Sequence, residues 1–298
     1  MATQEASSLS RSDTPTQKPL RPNAFPSQVD HASGSMPQCV VERLQIKVED
    51  GPDGKVTGFL HAPSPYKLGE HSKTAAVLLS GAGGGVTGPS GMYLSMADKL
   101  ASLPKHGQAM LALRLDYRYP ARNKYCVPDV KAAVDYLQRE RGVEKVVLVG
   151  WSFGSAPVFT FAAQDQRVVG AALVAPQTAE TEGVYKMPLR PVLLCHGTGD
   201  RTLSPSCSQR LEKMYRSSDP SRKGEVTLKL FDGGDHALTK HAREAETGIT
   251  EFILRCAGID MDDDVTKMAH AKLMPESKAE KVDLMKKGGD LKGAESVQ

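Results

Sequence analysis

The stretch Val146-Val147-Leu148-Val149-Gly150-Trp151-Ser152-Phe153-Gly154 constrains this chain more than any other. Its first four residues are apolar and mostly β-branched, and read as a short buried strand. Ser155 to Ala163 reads as a helix, with Pro157 tolerable because it falls in the first turn. Between the two, Gly150-Trp151-Ser152-Phe153-Gly154 fits G-x-S-x-G. A serine on so sharp a strand-to-helix turn takes a strained backbone conformation. The residues two positions away on either side must then be small, and both are glycine. Such a turn lifts the hydroxyl off the sheet and sets it at a helix N-terminus, where developing negative charge is favoured. The competing reading is a glycine-bounded loop with an incidental serine. A reactive serine, by contrast, needs a base, an orienter for the base, and oxyanion donors, so the rest of the chain decides.

The other elements follow from periodicity and turn chemistry. Val40 to Val48 and Val56 to Ala62 read as two strands. The turn residues Asp50-Gly51-Pro52-Asp53-Gly54 between them predict an antiparallel hairpin. Ala75 to Leu79 is a buried strand running into the loop Ser80-Gly81-Ala82-Gly83-Gly84-Gly85. Met92, Met96, Leu100 and Leu103 predict a helix over 92–103. Ala109 to Leu115 is a strand, and Val127 to Arg141 a helix closed by Gly142. After the serine turn come strands at 168–174, 191–195 and 226–230, and helices at 204–215 and 242–256. A hairpin followed by alternating strands and helices predicts an α/β fold with a mostly parallel sheet covered on both faces. Only a short segment separates the strands that end at Val174 and begin at Pro191, so no cap domain is expected. Residues 1–38, rich in Ser, Thr, Pro and Gln, read as a disordered tail. Residues 39–257 form the domain. Residues 258–298 read as a charged, largely disordered tail.

Two later segments supply partners for Ser152. The strand ending at Cys195 leads into His196-Gly197-Thr198-Gly199-Asp200, and the strand ending at Leu230 leads into Phe231-Asp232-Gly233-Gly234-Asp235-His236. Ser152, Asp200 and His236 therefore fall at carboxyl ends of strands, where open α/β sheets build their sites. Their chain order, Ser then Asp then His, is that of a nucleophile-elbow triad. Asp232 and Asp235 compete with Asp200, but they sit too close to His236 in sequence to reach around its ring easily, and read as loop and cap residues. His196, at the edge of a buried strand, reads as a structural histidine. His241 reads as exposed, and Asp116 as a loop-ordering residue. One oxyanion donor is expected from the N–H of Phe153, the other from Ala82 or Gly83. Trp151, beside the serine, and Tyr93 are candidates for an apolar substrate pocket.

With these residues in hand, the region from Val40 to about Ala257 resembles the α/β-hydrolase superfamily. Within it the chain looks like the dienelactone-hydrolase-like group, and is most similar to the branch that includes the NSL chromatin-complex subunit and the testis-expressed hydrolase-like protein. The resemblance rests on SGAGG after the third strand, RLDYR after the fourth, GWSFG, HGTGD and GGDH. It implies an α/β-hydrolase fold, nucleophile, acid and base roles for Ser152, Asp200 and His236, and an oxyanion role for Ala82 and Gly83. The expected activity is that of a serine carboxylesterase acting on a small-molecule ester or thioester, with no cofactor and no metal. The chain departs from the pattern in carrying Ser80-Gly81 where many relatives have His-Gly. It also carries a serine where the dienelactone hydrolases proper use cysteine.

Composition narrows the alternatives. The 298 residues carry a net charge of +3 with only 5% aromatics and no basic stripe, so nucleic acid is not an expected partner. No run approaches a membrane span. Glu5, Asp13 and Asp30 weaken a targeting peptide. The five cysteines are scattered and lack C-x-x-C spacing, which predicts reduced thiols in a cytoplasmic or nuclear protein. Gly83, Gly85 and Gly88 fit a dinucleotide-binding G-x-G-x-x-G, with Asp116 ending the next strand. A hairpin precedes that strand, however, and this reading leaves Ser152, Asp200 and His236 unexplained. The second alternative is a non-catalytic interaction protein on a hydrolase scaffold.

Overall fold

The computed structural model describes residues 31–32, 39–50, 54–104, 107–219, 221, 225–275, 277, 279–280 and 283. Eight strands form one sheet: β1 (Cys39–Lys47), β2 (Lys55–Pro63), β3 (Thr74–Leu79), β4 (Ala112–Asp116), β5 (Lys145–Trp151), β6 (Val168–Val174), β7 (Val192–Gly197) and β8 (Val226–Phe231). Their order is β1-β2-β4-β3-β5-β6-β7-β8. The first two pairings, β1 with β2 and β2 with β4, are antiparallel. All later pairings are parallel. The helices are α1 (Met92–Ala101), α2 (Asn123–Arg141), α3 (Ser155–Ala162), α4 (Gly183–Lys186), α5 (Ser206–Ser217), α6 (Ala242–Ala257) and α7 (Asp263–Ala269).

The central strands are continuous apolar runs because both faces are covered. Successive side chains of a strand point to opposite faces, so β3 feeds two cores. Ala75, Val77 and Leu79 pack with residues of α2 and α3. Ala76 and Leu78 pack with residues of α1 and α6. The hairpin strand β1 is exposed at alternate positions near its end, as a half-solvated edge strand should be. The helix expected from Val127 starts earlier, at Asn123, and carries Pro128 inside it.

Every residue of α1 is buried, including the charged Asp98 and Lys99. Burial of charge demands partners. Lys99 Nζ reaches Glu246 Oε1 at 2.6 Å and donates to the carbonyl of Ala269 at 3.0 Å. That second contact corrects the domain boundary expected at 257. Residues 263–269 form a helix, capped by the Asp262 carboxylate on the N–H groups of Asp264 and Val265, and Val265 and Ala269 are fully buried. The acidic run reads as a tail in sequence because few apolar residues face inward: Val265 and Ala269, with Met268 partly buried beside them. At the other end, Ala32 is buried and its N–H donates to Asp98 Oδ2 at 2.9 Å. The folded unit therefore also takes in residues assigned to the N-terminal tail. The expectations for 1–30 and 284–298, and for the turn tip 51–53, lie outside the described residues.

Candidate active site

Parallel pairing brings the carboxyl ends of the central strands to one edge. Leu79 pairs with Gly150, Trp151 with Val174, Val174 with Cys195, and Gly197 with Phe231. The loops that follow β3, β5, β7 and β8 therefore emerge side by side.

At the end of β5, Ser152 takes φ +52°, a left-handed conformation that costs an L-residue on the order of 1–3 kcal/mol. Close approach explains the flanking glycines. A Cβ on Gly150 would lie 2.7 Å from the carbonyl of Gly154, and one on Gly154 would lie 2.8 Å from the carbonyl of Ser80 and 2.9 Å from that of Leu79. The glycine loop thus runs directly against the serine turn. Asp116 Oδ1 accepts the N–H of Gly85 at 3.1 Å, so this acid orders the loop. That use also answers the dinucleotide alternative, which needs the acid for a ribose.

His236 Nδ1 lies 2.7 Å from Asp200 Oδ2, and the Asp200 side chain is fully buried. An ionised carboxylate only accepts, so the Nδ1 proton of His236 is directed at Asp200. Asp200 Oδ1 accepts the N–H groups of Thr202 and Leu203 at 2.7 and 2.9 Å. Burial pushes the Asp200 carboxyl up. The hydrogen bonds from His196, His236 and Leu203 outweigh it and hold the group well below the usual carboxylate range.

Trp151 ties His236 to the serine turn. Its indole N–H donates to the carbonyl of His236 at 3.2 Å, and its ring stands 5.7 Å from the imidazole centroid. The hydroxyl of Ser90, a residue itself held at φ +50°, donates to the carbonyl of Ala237 at 3.0 Å. The β7 and β8 loops are cross-linked as well: Gly199 N–H meets the carbonyl of Gly234 at 2.9 Å, and Gly233 N–H meets Thr198 Oγ1 at 2.7 Å.

His196 is the buried, fully bonded histidine expected, and one of its bonds reaches Asp200. Its Nε2 lies 3.1 Å from Asp200 Oδ2 and 3.0 Å from the carbonyl of Leu203, and its Nδ1 lies 2.7 Å from Ser208 Oγ. Both Nε2 partners are acceptors, which fixes the proton on Nε2 and makes the Ser208 hydroxyl the donor to Nδ1. The spacing of four between His196 and Asp200 was the available signal; nothing in the sequence marks Ser90 or Ser208.

Tyr93 is not a pocket residue. It is 1% exposed, its hydroxyl donates to the carbonyl of Leu79 at 3.0 Å, and its ring fills the space a Cβ on Gly88 would take. It supports the glycine loop from beneath. Phe153 is buried edge-on against Tyr117. Asp232 and Asp235 are occupied as loop residues: Asp232 Oδ1 accepts from Thr198 Oγ1, and Asp235 Oδ1 accepts the N–H of Thr239. Between β6 and β7 the only helix among the described residues is the single-turn α4, so no cap is inserted between these strands.

Comparison with known proteins agrees with this architecture. A family model described as the alpha/beta hydrolase fold matches residues 100–190. The chain has the α/β-hydrolase fold. Solved structures with this fold include Est1E from Butyrivibrio proteoclasticus, at TM-score 0.57 and 18% identity, covering 72% of this chain and 99% of that one. The esterase domain of a Rhodothermus marinus protein is similar at TM-score 0.55 and 15% identity, over 72% and 98% of the two chains. A serine hydrolase without lid from Xanthomonas campestris is similar at TM-score 0.55 and 16% identity, over 72% and 94%. No curated protein matches the chain in sequence. No helix among the described residues is long and apolar enough to cross a membrane.

Proposed function

We propose that this chain is a serine hydrolase that cleaves a carboxylic ester or thioester of small to medium size through an acyl-enzyme. The observation that carries the reading is the Asp200–His236 hydrogen bond at 2.7 Å, held by Trp151 to the strained turn bearing Ser152. A serine at its free pKa is a weak nucleophile. With the Nδ1 proton of His236 committed to Asp200, Nε2 carries the lone pair that takes the Ser152 proton as Oγ attacks the carbonyl. Asp200 stays ionised and stabilises the imidazolium. The tetrahedral oxyanion is received by the N–H of Phe153 and by Ala82 or Gly83 on the loop that abuts the turn. The imidazolium then protonates the leaving alcohol or thiol, and water attacks the acyl-enzyme with His236 again as base.

Of the two residues that flank the nucleophile, Trp151, beside the His236 ring, is the one placed to meet an apolar substrate group, and the absence of an inserted cap between β6 and β7 leaves substrate access without a lid. Among solved structures of this fold, an esterase domain and a lidless serine hydrolase support ester chemistry. The quoted motifs ally the chain with the dienelactone-hydrolase-like group, in the branch of the NSL chromatin-complex subunit and the testis-expressed hydrolase-like protein. The five free thiols support a reducing compartment, cytoplasm or nucleus.

The test is labelling of the full chain with a fluorophosphonate probe, wild type beside Ser152→Ala. The expected result is modification at Ser152 alone, lost in the variant. A folded wild type that takes up no probe would leave the same scaffold serving as a non-catalytic interaction protein.

A further inference from the structure

Asp98, the buried carboxylate in α1, is the hub of a cluster outside the proposed active site. His31 Nδ1 lies 2.8 Å and His61 Nδ1 3.0 Å from Asp98 Oδ1. Cys39 Sγ lies 3.5 Å from the same oxygen and 4.0 Å from His31 Nδ1. The four donor atoms lie within 4.8 Å of one another. They come from the residue preceding Ala32, the first residue of β1, the middle of β2, and α1.

Proton placement sorts these groups. Arg114 Nε donates to His61 Nε2 at 2.8 Å, so that nitrogen is an acceptor and the His61 proton sits on Nδ1, aimed at Asp98. His61 therefore presents no lone pair to the cluster. It holds the carboxylate from one side, while Ala32 N–H holds Oδ2 from the other. Three groups remain that can turn lone pairs toward one point: the His31 imidazole, the Cys39 sulfur and an Asp98 oxygen. The His31 side chain is 32% exposed, so its far nitrogen can keep a proton toward water while Nδ1 faces inward.

We propose that His31, Cys39 and Asp98 bind a zinc ion, with His61 and the Ala32 N–H orienting the Asp98 carboxylate. A mixed nitrogen, sulfur and oxygen donor set suits zinc. Zinc–ligand bonds of ~2.0–2.3 Å in a tetrahedron set neighbouring donor atoms roughly 3.3–3.8 Å apart. The separations of 2.8, 3.5 and 4.0 Å among His31, Cys39 and Asp98 bracket that range. The thiolate and carboxylate together cancel the charge of the ion, as a largely buried site requires. The thiol proton leaves to solvent as the Cys39–zinc bond forms. Hydrogen bonds to a ligating carboxylate are the usual support around a metal. Water on the His31 side supplies the fourth ligand. The ion would clamp the residues before β1 onto α1, the helix that follows the glycine loop. The scattered cysteine spacing hides such a site, because its ligands lie on separate elements.

The experiment uses the full chain purified without metal-affinity resin or chelators. Bound zinc is measured by plasma mass spectrometry, and cobalt(II) uptake by absorption. Wild type should carry stoichiometric zinc, and its cobalt form should show a thiolate-to-cobalt charge-transfer band. Both should persist in a Cys207→Ser/Cys256→Ser variant, which lacks the more exposed thiols. The band should vanish in Cys39→Ser. Zinc affinity should fall at least about tenfold in His31→Asn, a partly exposed position that folds even if Cys39→Ser does not. Wild type that neither retains zinc nor takes up cobalt overturns the site, and so does a band that survives Cys39→Ser.

Discussion

His236 Nδ1 faces Asp200 Oδ2 across 2.7 Å, although 36 residues separate them in the chain. Asp200→Asn keeps the size of the side chain but presents the wrong group to Nδ1. It should cost on the order of 10³ to 10⁴ in kcat, as tautomer-disrupting changes do in serine triads. Asp232→Asn and Asp235→Asn should each cost far less, because those carboxylates serve Thr198 and Thr239. Steady-state kinetics on a p-nitrophenyl ester decides. A crippled Asp235→Asn beside an active Asp200→Asn would require the acid to be reassigned.

The low-lying Asp200 carboxyl also fixes the direction of the pH dependence. Its folded value lies below the ordinary ~3.9 of an unfolded aspartate. Between the two values the unfolded chain binds more protons, so stability rises with pH there. The contribution is complete above about pH 4 and is lost as pH falls through the folded value. Asp200 therefore stays ionised throughout the range where activity is measured. In the proposed reaction the acid loss of kcat/KM between about pH 8 and 5 comes from the imidazole, which titrates ordinarily near ~6.5. The Asp129 carboxyl, pushed up to about 6 by burial, titrates in the same window but is bound to Arg118 outside the triad. A fall governed by one proton is expected. A profile that stays flat over that range, with chemistry rate-limiting, would exclude His236 as the base.

His196 shares Asp200 Oδ2 with His236 and also bonds Leu203 on the same loop. In the proposed reaction it would act through Asp200 and touch no substrate, which makes it a positioning residue. His196→Asn should lower kcat about tenfold with KM little changed, the pattern of a group felt mainly in the transition state. Ser208→Ala should move in the same direction by less. Equal losses in kcat and in thermal stability, with no kinetic split, would mark a purely structural histidine.

The fold was legible because its signals are local. The runs of β3, β5, β7 and β8 and the turn residues at their ends place the strands, and the carboxyl ends of β5, β7 and β8 bring Ser152, Asp200 and His236 to one edge. What stayed hidden rests on contacts made across the chain. Tyr93 looks like a pocket aromatic until its hydroxyl is seen on Leu79 and its ring against Gly88. Asp98 and Lys99 look like the polar face of an amphipathic helix, yet both are buried. Their partners come from residues 31–32, from β2, and from α6 and α7. Those partners are spread over most of the chain, so neither periodicity nor spacing can reveal them.

Gly154 separates the serine turn from the glycine loop. A methyl group there would meet two backbone carbonyls, of Ser80 at 2.8 Å and of Leu79 at 2.9 Å, and neither can move as a side-chain tip would. Gly154→Ala should push the loop away from the turn and destabilise the fold by about 1–3 kcal/mol. A displacement near 1 Å costs about 10²-fold in rate, so ester turnover should fall more than thermal stability does. Unchanged turnover in a folded Gly154→Ala variant would show that the loop takes no part in the reaction.

Removing α7 should cost stability even though its sequence looks like a solvated tail. A chain ending at Ile259 loses the burial of Val265 and Ala269 and takes the Ala269 carbonyl from Lys99 Nζ. Fully burying a valine side chain contributes about 1.5–3 kcal/mol, and a buried ammonium left short of a hydrogen bond adds a further penalty of about 1–3 kcal/mol. Lys99 keeps Glu246 at 2.6 Å, so the fold should survive with a lowered melting temperature. A chain ending at residue 275 keeps α7, together with Leu273 and Met274, which pack against Ala32 and Leu94, and should melt like the full chain. Thermal unfolding of the two truncations separates the outcomes. If the chain ending at Ile259 melts with the full-length protein, α7 adds nothing to the domain, and a Lys99→Met change should then be tolerated as well.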